Sequence, residues 1–163
     1  VLSRAFTITD IGLQDRWVMW QAAWRMIQAR PWLGHGLNTF MANYLTYWVG
    51  GEAQPRYAHN CFLQVGAETG LFGLAAFLAL LAAMLWHWRR ALIGRAAVGE
   101  RRVLVGLVAG LVGFIVHSAF DTNFYELRQA ALFWSLAGLA TGLGVKMMRD
   151  EQATAVASPD AGI

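Results

Sequence analysis

Residues 56–73 read RYAHNCFLQVGAETGLFG, and this stretch joins a polar, tryptophan-rich segment to a long apolar run. In a helix each residue advances about 100°, so His59 would share one face with three glycines: Gly66, Gly70 and Gly73. Glu68 would point to the opposite side. Glycines at such spacings let a second helix approach closely in a membrane. The stretch therefore predicts a histidine held over a tightly packed helix seam at a membrane boundary.

The composition is that of a membrane protein. Of 163 residues, 57% are hydrophobic, eight are Trp and only 14% are charged, which is too apolar for an ordinary soluble domain. The pI near 9.5 comes from arginines that flank apolar runs, so no nucleic-acid partner is expected. The single cysteine, Cys61, excludes a disulfide within the chain.

Residues 1–58 are expected to form an extramembrane region that lies against the bilayer. The residues before Leu13 should be irregular, and Leu13–Ala29 has tryptophans at helical spacing until Pro31 ends the pattern. Its polar residues are too many for lipid, which predicts an amphipathic interfacial helix with its Trp side toward the bilayer. A turn at residues 34–36 and a second short helix at residues 40–48 should follow.

Three apolar runs predict a transmembrane region over residues 59–148, with helices at about 60–88, 103–120 and 130–148. Glycine pairs in the last two runs predict close helix contacts: Gly106 with Gly110, and Gly138 with Gly142. Residues 149–163 are expected to be a disordered cytoplasmic tail.

Charge predicts the orientation of these helices. Residues 89–102 contain five arginines, whereas residues 121–128 contain one arginine and two acidic residues. The positive-inside rule then places residues 89–102 and the C-terminus in the cytoplasm, and His59 on the outer side. The expected fold is an all-α integral membrane protein with three transmembrane helices and an N-terminal amphipathic-helical periplasmic segment.

Three motifs in this order resemble those of the O-antigen ligase family, which also includes O-antigen polymerases and protein O-oligosaccharyltransferases. Residues 59–73 fit H-N-x-x-L-x-x-x-x-E-x-G-x-x-G. Residues 16–40 are similar to R-W…P-x-x-G-x-G-x-x-x-F, and residues 117–121 to H-S-x-F-D. The likeness covers roughly residues 13–145. It implies the C-terminal part of a larger polytopic bundle in the bacterial inner membrane, with the motifs facing the periplasm.

The resemblance implies a glycosyltransferase that moves a glycan from a polyprenyl diphosphate to an acceptor hydroxyl in lipopolysaccharide or surface-polysaccharide assembly. His59 matches the family's proposed general base, and imidazole can take up a proton near neutral pH. An arginine would bind the diphosphate. Arg16 is preferred because it begins the R-W match. The family's R-x3-L motif has no literal match here, so Arg56 and Arg25 stay open.

Four other residues are candidates for substrate binding: Asn60, Glu68, His117 and Asp121. His117 and Asp121 are one helical turn apart and are predicted to pair, either in function or to fix the loop. Glu68 should either pair with a basic group of another helix or snorkel toward the headgroups. His87 is expected to snorkel on the cytoplasmic side.

Two alternatives remain open. No motif encodes the acceptor, so a polymerase or a protein O-oligosaccharyltransferase fits as well as a ligase, and the acceptor is a glycan, a lipid or a protein. A different class is a non-catalytic transporter or assembly subunit that uses His117 and Asp121 as a proton or ion relay. The four histidines are far apart in sequence and no nucleotide-binding loop is present, so neither a metal nor a cofactor is expected.

Overall fold

The structure is a computed structural model that describes residues 2–50, 57–94 and 97–157, with side chains from Arg16 to Val156. In these ranges it contains helices and irregular segments but no strand, which confirms the all-helical prediction. The α-helices are α1 (Leu2–Ala29), α2 (Phe40–Tyr44), α3 (Cys61–Ile93), α4 (Val98–His117) and α5 (Leu127–Ala157), and a 3₁₀ helix spans Asn123–Tyr125.

Several helix ends differ from the sequence prediction. α1 begins at Leu2 instead of Leu13, although it ends at Ala29 before Pro31 as predicted. α3 and α5 continue past their apolar runs to Ile93 and Ala157. Arginine, lysine and glutamate are good helix formers, so the helices do not stop where the hydrophobic pattern stops.

Two helices are long and apolar enough to cross a membrane: Cys61–Ile93 and Leu127–Val156. Only 11% of the apolar window of α3 is buried, unlike the core helix of a soluble protein. α4 is not among these candidates, because its first turn and the residue after it contain Glu100, Arg101 and Arg102. The structure thus supports two of the three predicted spans by length and composition.

The chain forms two compact units. Unit 1 contains the residues up to Phe77 together with Val116–Glu126, and unit 2 contains Leu78–Ile115 and the residues from Leu127 onward. The core of unit 1 is built on an apolar stripe of α1 with helical spacing, which packs with α2 and the start of α3: Met19, Ala22, Ala23, Met26 and Ile27 with Phe40, Tyr44, Ala58 and Ala67.

α3 is interrupted at Gly70, whose φ of 70° and ψ of −173° are not helical. We call Ala67–Leu71 the helix break. The break frees backbone groups that would be costly to leave unpaired. The carbonyls of Ala67 and Glu68 accept hydrogen bonds from the amides of His35 and Gly36 at 3.1 and 2.8 Å.

The partner of the helix break is Pro31–Gly36, which we call the glycine turn. Its turn residues are 31–33, just before the turn predicted at residues 34–36, where the chain bends at His35. Its proline carbonyl accepts a hydrogen bond from the Leu71 amide at 2.7 Å. Gly34 has a φ of +65°, and a Cβ there would collide with the backbone of Glu68. A Cβ on Gly70 would collide with the backbone of Trp32. The contact therefore requires glycine on both sides.

In unit 2, α3 packs on α5 through polar and small groups. The buried Trp88 donates from Nε1 to Thr141 Oγ1 at 3.1 Å, and His87 Nε2 donates to the Thr141 carbonyl at 3.2 Å. His87 is therefore not the snorkelling residue that was predicted. The close glycine contact is at Gly144, where a Cβ would lie 3.1 Å from Ala91 Cβ. Apart from neighbouring backbone of the same helix, no described atom lies within 4 Å of the Cβ position at the four predicted contacts: Gly106, Gly110, Gly138 and Gly142.

Replacing Gly34 or Gly70 by alanine should destabilise the protein by about 3 kcal/mol or more, because a Cβ would meet backbone at a positive φ. Thermal unfolding of the purified full-length protein in detergent measures the change. Gly99→Ala in α4 is the matched control, since its Cβ meets nothing described within 4 Å, and it should stay within about 0.5 kcal/mol. Equal melting temperatures for Gly70→Ala and Gly99→Ala would contradict the proposed contact.

Candidate functional site

His59 lies immediately before α3 and adopts a left-handed backbone conformation with a φ of 46°. The prediction that it lies on the helix, on the face of the three glycines, is wrong because α3 begins at Cys61. This conformation costs a residue other than glycine about 1–2 kcal/mol. It persists only where the surrounding structure holds it, and such positions cluster at functional sites.

The side chains of His59 and Asp121 are hydrogen-bonded to each other. Its Nδ1 lies 3.2 Å from Asp121 Oδ1, and the Thr122 amide donates to the same oxygen at 2.8 Å. Burial by itself raises the pKa of Asp121, but the Thr122 amide, His59 and the nearby His117 together hold that pKa below its usual 3.8. An ionised carboxylate only accepts hydrogen bonds, so His59 carries its proton on Nδ1.

This arrangement leaves Nε2 of His59 as a proton acceptor. The side chains of His59 and Asp121 are 40% and 42% exposed, so a substrate can reach them. A half-exposed imidazole with its other nitrogen bonded to a carboxylate is suited to take a proton from a hydroxyl. Among the residues with described side chains, no group of three or more His, Cys, Asp or Glu that could hold a metal ion is found.

The first residue of α3 holds the segment that carries Asp121, which we call the α4–α5 loop (Ser118–Glu126). The Cys61 amide donates to the carbonyls of Ser118 and Asp121 at 2.8 and 3.2 Å. The Cys61 thiol donates to the Asp121 carbonyl at 3.2 Å and accepts from the Phe124 amide at 3.4 Å. The free amide at the start of α3 thus fixes the loop beside His59.

The predicted pair of His117 and Asp121 does not form. α4 ends at His117, so the four-residue spacing no longer places both side chains on one helix face. His117 Nδ1 instead accepts a hydrogen bond from Asn123 Nδ2 at 2.7 Å. Asp121 turns to His59, 62 residues earlier in the chain.

Glu68 is a buried structural acceptor, with only 1% of its surface exposed. The amide of Asn38 and the hydroxyl of Tyr125 donate to Oε2 at 2.8 and 2.9 Å, and the amide of Phe40 donates to Oε1 at 3.0 Å. Glu68 therefore neither snorkels nor pairs with a basic group of a neighbouring helix. It holds the start of α2, where free amides favour a negative charge.

Asn60 is the N-cap of α3. Its Oδ1 accepts a hydrogen bond from the Leu63 amide at 3.0 Å, which is the usual way an asparagine satisfies an amide at a helix start. A role of Asn60 in substrate binding stays a prediction.

Of the candidate arginines, Arg16 and Arg25 have no described contact with the pair of His59 and Asp121. Arg16 is half-buried and Arg25 is exposed, both on α1. The contacts described for the pair involve neither of them. Arg56 lies outside the described residues, so the choice among the three arginines stays a prediction.

Three residues of this site escaped the sequence analysis: Cys61, Gln64 and Tyr125. The spacing of Gln64 and Glu68, four residues apart on α3, is a signal that was available. Cys61 and Tyr125 gave no local signal, because their partners lie at least 57 residues away in the chain.

Asp121→Asn should lower the melting temperature of the full-length protein near neutral pH by an amount equivalent to at most about 1 kcal/mol, since the pair is partly exposed. Because the folded-state pKa of Asp121 lies below 3.8, its ionised form stabilises the fold fully above pH 3.8 and loses this effect as the pH falls through the folded-state value. The difference in melting temperature between Asp121→Asn and the unmodified protein should therefore become smaller in acid.

Glu126→Gln removes an exposed carboxylate from the same loop and is the matched control, with no change expected at any pH. Identical melting temperatures for Asp121→Asn and the unmodified protein near neutral pH would argue against the contact between His59 and Asp121.

Comparison with protein families finds a match to the family model described as O-antigen ligase, over residues 4–78. The match includes the glycine turn, the helix break and His59, and it ends before the α4–α5 loop that carries Asp121. Comparison with curated proteins and with solved structures finds no match. The family match supports the resemblance seen in the two motifs before residue 78, so residues 4–78 of this chain are similar to the O-antigen ligase family.

Proposed function

We propose that the chain carries the acceptor-activating site of a metal-independent membrane glycosyltransferase of the O-antigen ligase type. The donor would be a glycan on undecaprenyl diphosphate or a similar polyprenyl diphosphate, and the acceptor a hydroxyl of a glycan, a lipid or a protein. The observation that carries the proposal is the pair of His59 and Asp121. It joins an exposed imidazole in a strained backbone conformation to an ionised carboxylate.

In this mechanism Nε2 of His59 takes the proton of the acceptor hydroxyl as its oxygen bonds to the anomeric carbon of the donor sugar. The bond from that carbon to the diphosphate oxygen breaks, and its electron pair leaves with the diphosphate. Attack from the opposite face inverts the anomeric centre. Asp121 stabilises the imidazolium that forms and keeps the ring in the tautomer with Nε2 free.

An arginine is assigned to the diphosphate, because guanidinium binds phosphate oxygens with two parallel hydrogen bonds and stabilises the charge of the leaving group. Arg16 is preferred over Arg25 because it begins the R-W motif and is half-buried, whereas Arg25 is exposed. A partly buried guanidinium interacts with an anion more strongly than an exposed one.

For the membrane we propose that α4 crosses together with α3 and α5, so that residues 59–148 contain three spans in a bundle completed by further helices of a longer protein. The arginines of residues 89–102 would lie in the cytoplasm. The interfacial region of residues 1–58 and the pair of His59 and Asp121 would face the periplasm at the bacterial inner membrane. Exposed Trp17 and Trp24 suit a headgroup contact.

His59→Ala in the full-length protein should lower glycan transfer by about 10²- to 10⁴-fold, the usual contribution of a general base. Asp121→Asn should lower it by about 10- to 100-fold, the effect of losing a hydrogen bond to a charged group. Cell-surface glycan in a strain that lacks its own copy, normalised to membrane protein level, gives the result. His87→Ala is the control, since His87 lies in unit 2. Normal surface glycan with His59→Ala would refute the proposed function.

Arg16→Ala should lower transfer more than Arg25→Ala does, by about tenfold or more, because a charge-assisted hydrogen bond to phosphate contributes about 1.5–3 kcal/mol. Release of undecaprenyl diphosphate by membranes that contain the full-length protein and its acceptor measures the turnover. Equal losses from the two variants would remove the preference for Arg16 and leave Arg56 as the candidate.

A further inference from the structure

One face of α3 carries three buried residues that can form hydrogen bonds. Cys61, Gln64 and Glu68 are 0%, 0% and 1% exposed, and their spacing of three and four residues places them on the same side of the helix. Buried polar groups are costly unless they are hydrogen-bonded. The partners of Gln64 and Glu68 lie directly beside His59 and in the α4–α5 loop.

The first connection runs from Glu68 to His59. Gln64 Nε2 donates to Glu68 Oε1 at 3.4 Å, and Gln64 Oε1 accepts from the Ala58 amide at 3.2 Å. Ala58 is fully buried and directly precedes His59. Gln64 therefore fixes the backbone at the point where the chain enters the left-handed conformation of His59, which needs support from its surroundings.

The second connection runs from Glu68 to Asp121. The Tyr125 hydroxyl donates to Glu68 Oε2 at 2.9 Å, and the Tyr125 amide donates to the Thr122 carbonyl at 2.9 Å. The Thr122 amide donates to Asp121 Oδ1 at 2.8 Å. Burial raises the pKa of Tyr125, and the Glu68 carboxylate raises it further, so the hydroxyl keeps its proton and remains the donor.

We propose that Gln64 and Tyr125 are positioning residues that, through their shared acceptor Glu68, set the distance and angle between His59 and Asp121. Neither the family match nor the motifs assign a role to these two side chains. The inference rests on the proposed function, because it concerns the geometry of the base that this function uses.

Removing either positioning residue should slow the chemical step and leave substrate binding unchanged. The described side-chain hydrogen bonds of Gln64 and Tyr125 all go to protein groups. A displacement of a catalytic group by about 1 Å can reduce the rate by roughly 100-fold. An interaction that acts only in the transition state lowers kcat and leaves KM unchanged.

The test is Tyr125→Phe in the full-length protein, which removes one hydroxyl and keeps the ring. We expect kcat for the release of undecaprenyl diphosphate to fall by about 10- to 100-fold, with KM for the undecaprenyl-diphosphate-linked glycan unchanged. Gln64→Met removes the hydrogen bonds of Gln64 to Ala58 and Glu68. It should likewise lower kcat and leave KM unchanged. The control is Tyr47→Phe, since the Tyr47 ring packs on His35 and not on Glu68.

A double variant separates positioning from general stability. Because Tyr125 acts through Asp121, Tyr125→Phe should add less than about twofold to the loss already caused by Asp121→Asn. The inference would be overturned if the losses in kcat of the two single variants multiplied in the double variant. A raised KM with unchanged kcat, or a Tyr125→Phe variant that behaves like Tyr47→Phe, would also overturn it. Full transfer by His59→Ala would overturn the proposed function and this inference with it, whereas loss in His59→Ala with normal kcat in Tyr125→Phe overturns the inference alone.

Discussion

The backbone contact between the glycine turn and the helix break is the constraint on which the rest of unit 1 depends. A helix that stops and restarts leaves carbonyls and amides without partners, and here another stretch of main chain supplies them. Gly34 and Gly70 let the two backbones come this close. Because the break turns α3 at Gly70, Glu68 lies at the junction of the turn, the start of α2 and the α4–α5 loop.

The candidate site follows from this junction. Glu68 is surrounded by uncharged donors, so it does not neutralise a basic residue but arranges three segments around one buried carboxylate. A negative charge in such a place is tolerable only when several good hydrogen bonds satisfy it. His59 and Asp121 are partly exposed, and the hydrogen bonds of the buried Glu68 and Gln64 lead to the segments that carry them. In the proposed arrangement their pairing depends on residues that bond other protein groups, which is the usual relation between a reactive group and its support.

The sequence was sufficient to predict the all-helical class, the end of α1 before Pro31 and a change of chain direction close to Gly34 and Gly36. Each of these depends on local chemistry: proline cannot continue a helix and glycine permits a positive φ. The apolar runs located α3 and α5 but not their ends, since charged residues extend a helix beyond its hydrophobic segment.

The sequence was less informative about the site. The prediction that His59 shares a helix face with the glycines assumed a continuous helix from residue 59 to residue 73. This assumption fails because Asn60 caps α3 and Gly70 interrupts it. Asp121 was paired with His117 in the sequence analysis, whereas the structure pairs it with His59. Its partner is set by long-range contacts of Cys61 and Glu68, and periodicity carries no information about contacts of that kind.

Cys61 supports the loop from a fully buried position, whereas the imidazole of His59, two residues earlier in the chain, is partly open to solvent. The two nucleophilic side chains of this segment therefore differ in their chemical accessibility. Thiol-directed reagents would not modify Cys61 in the folded protein, whereas imidazole-directed reagents would modify His59 in the candidate site. Covalent labelling of the native protein can thus be directed to the reactive face of the segment without any engineered cysteine.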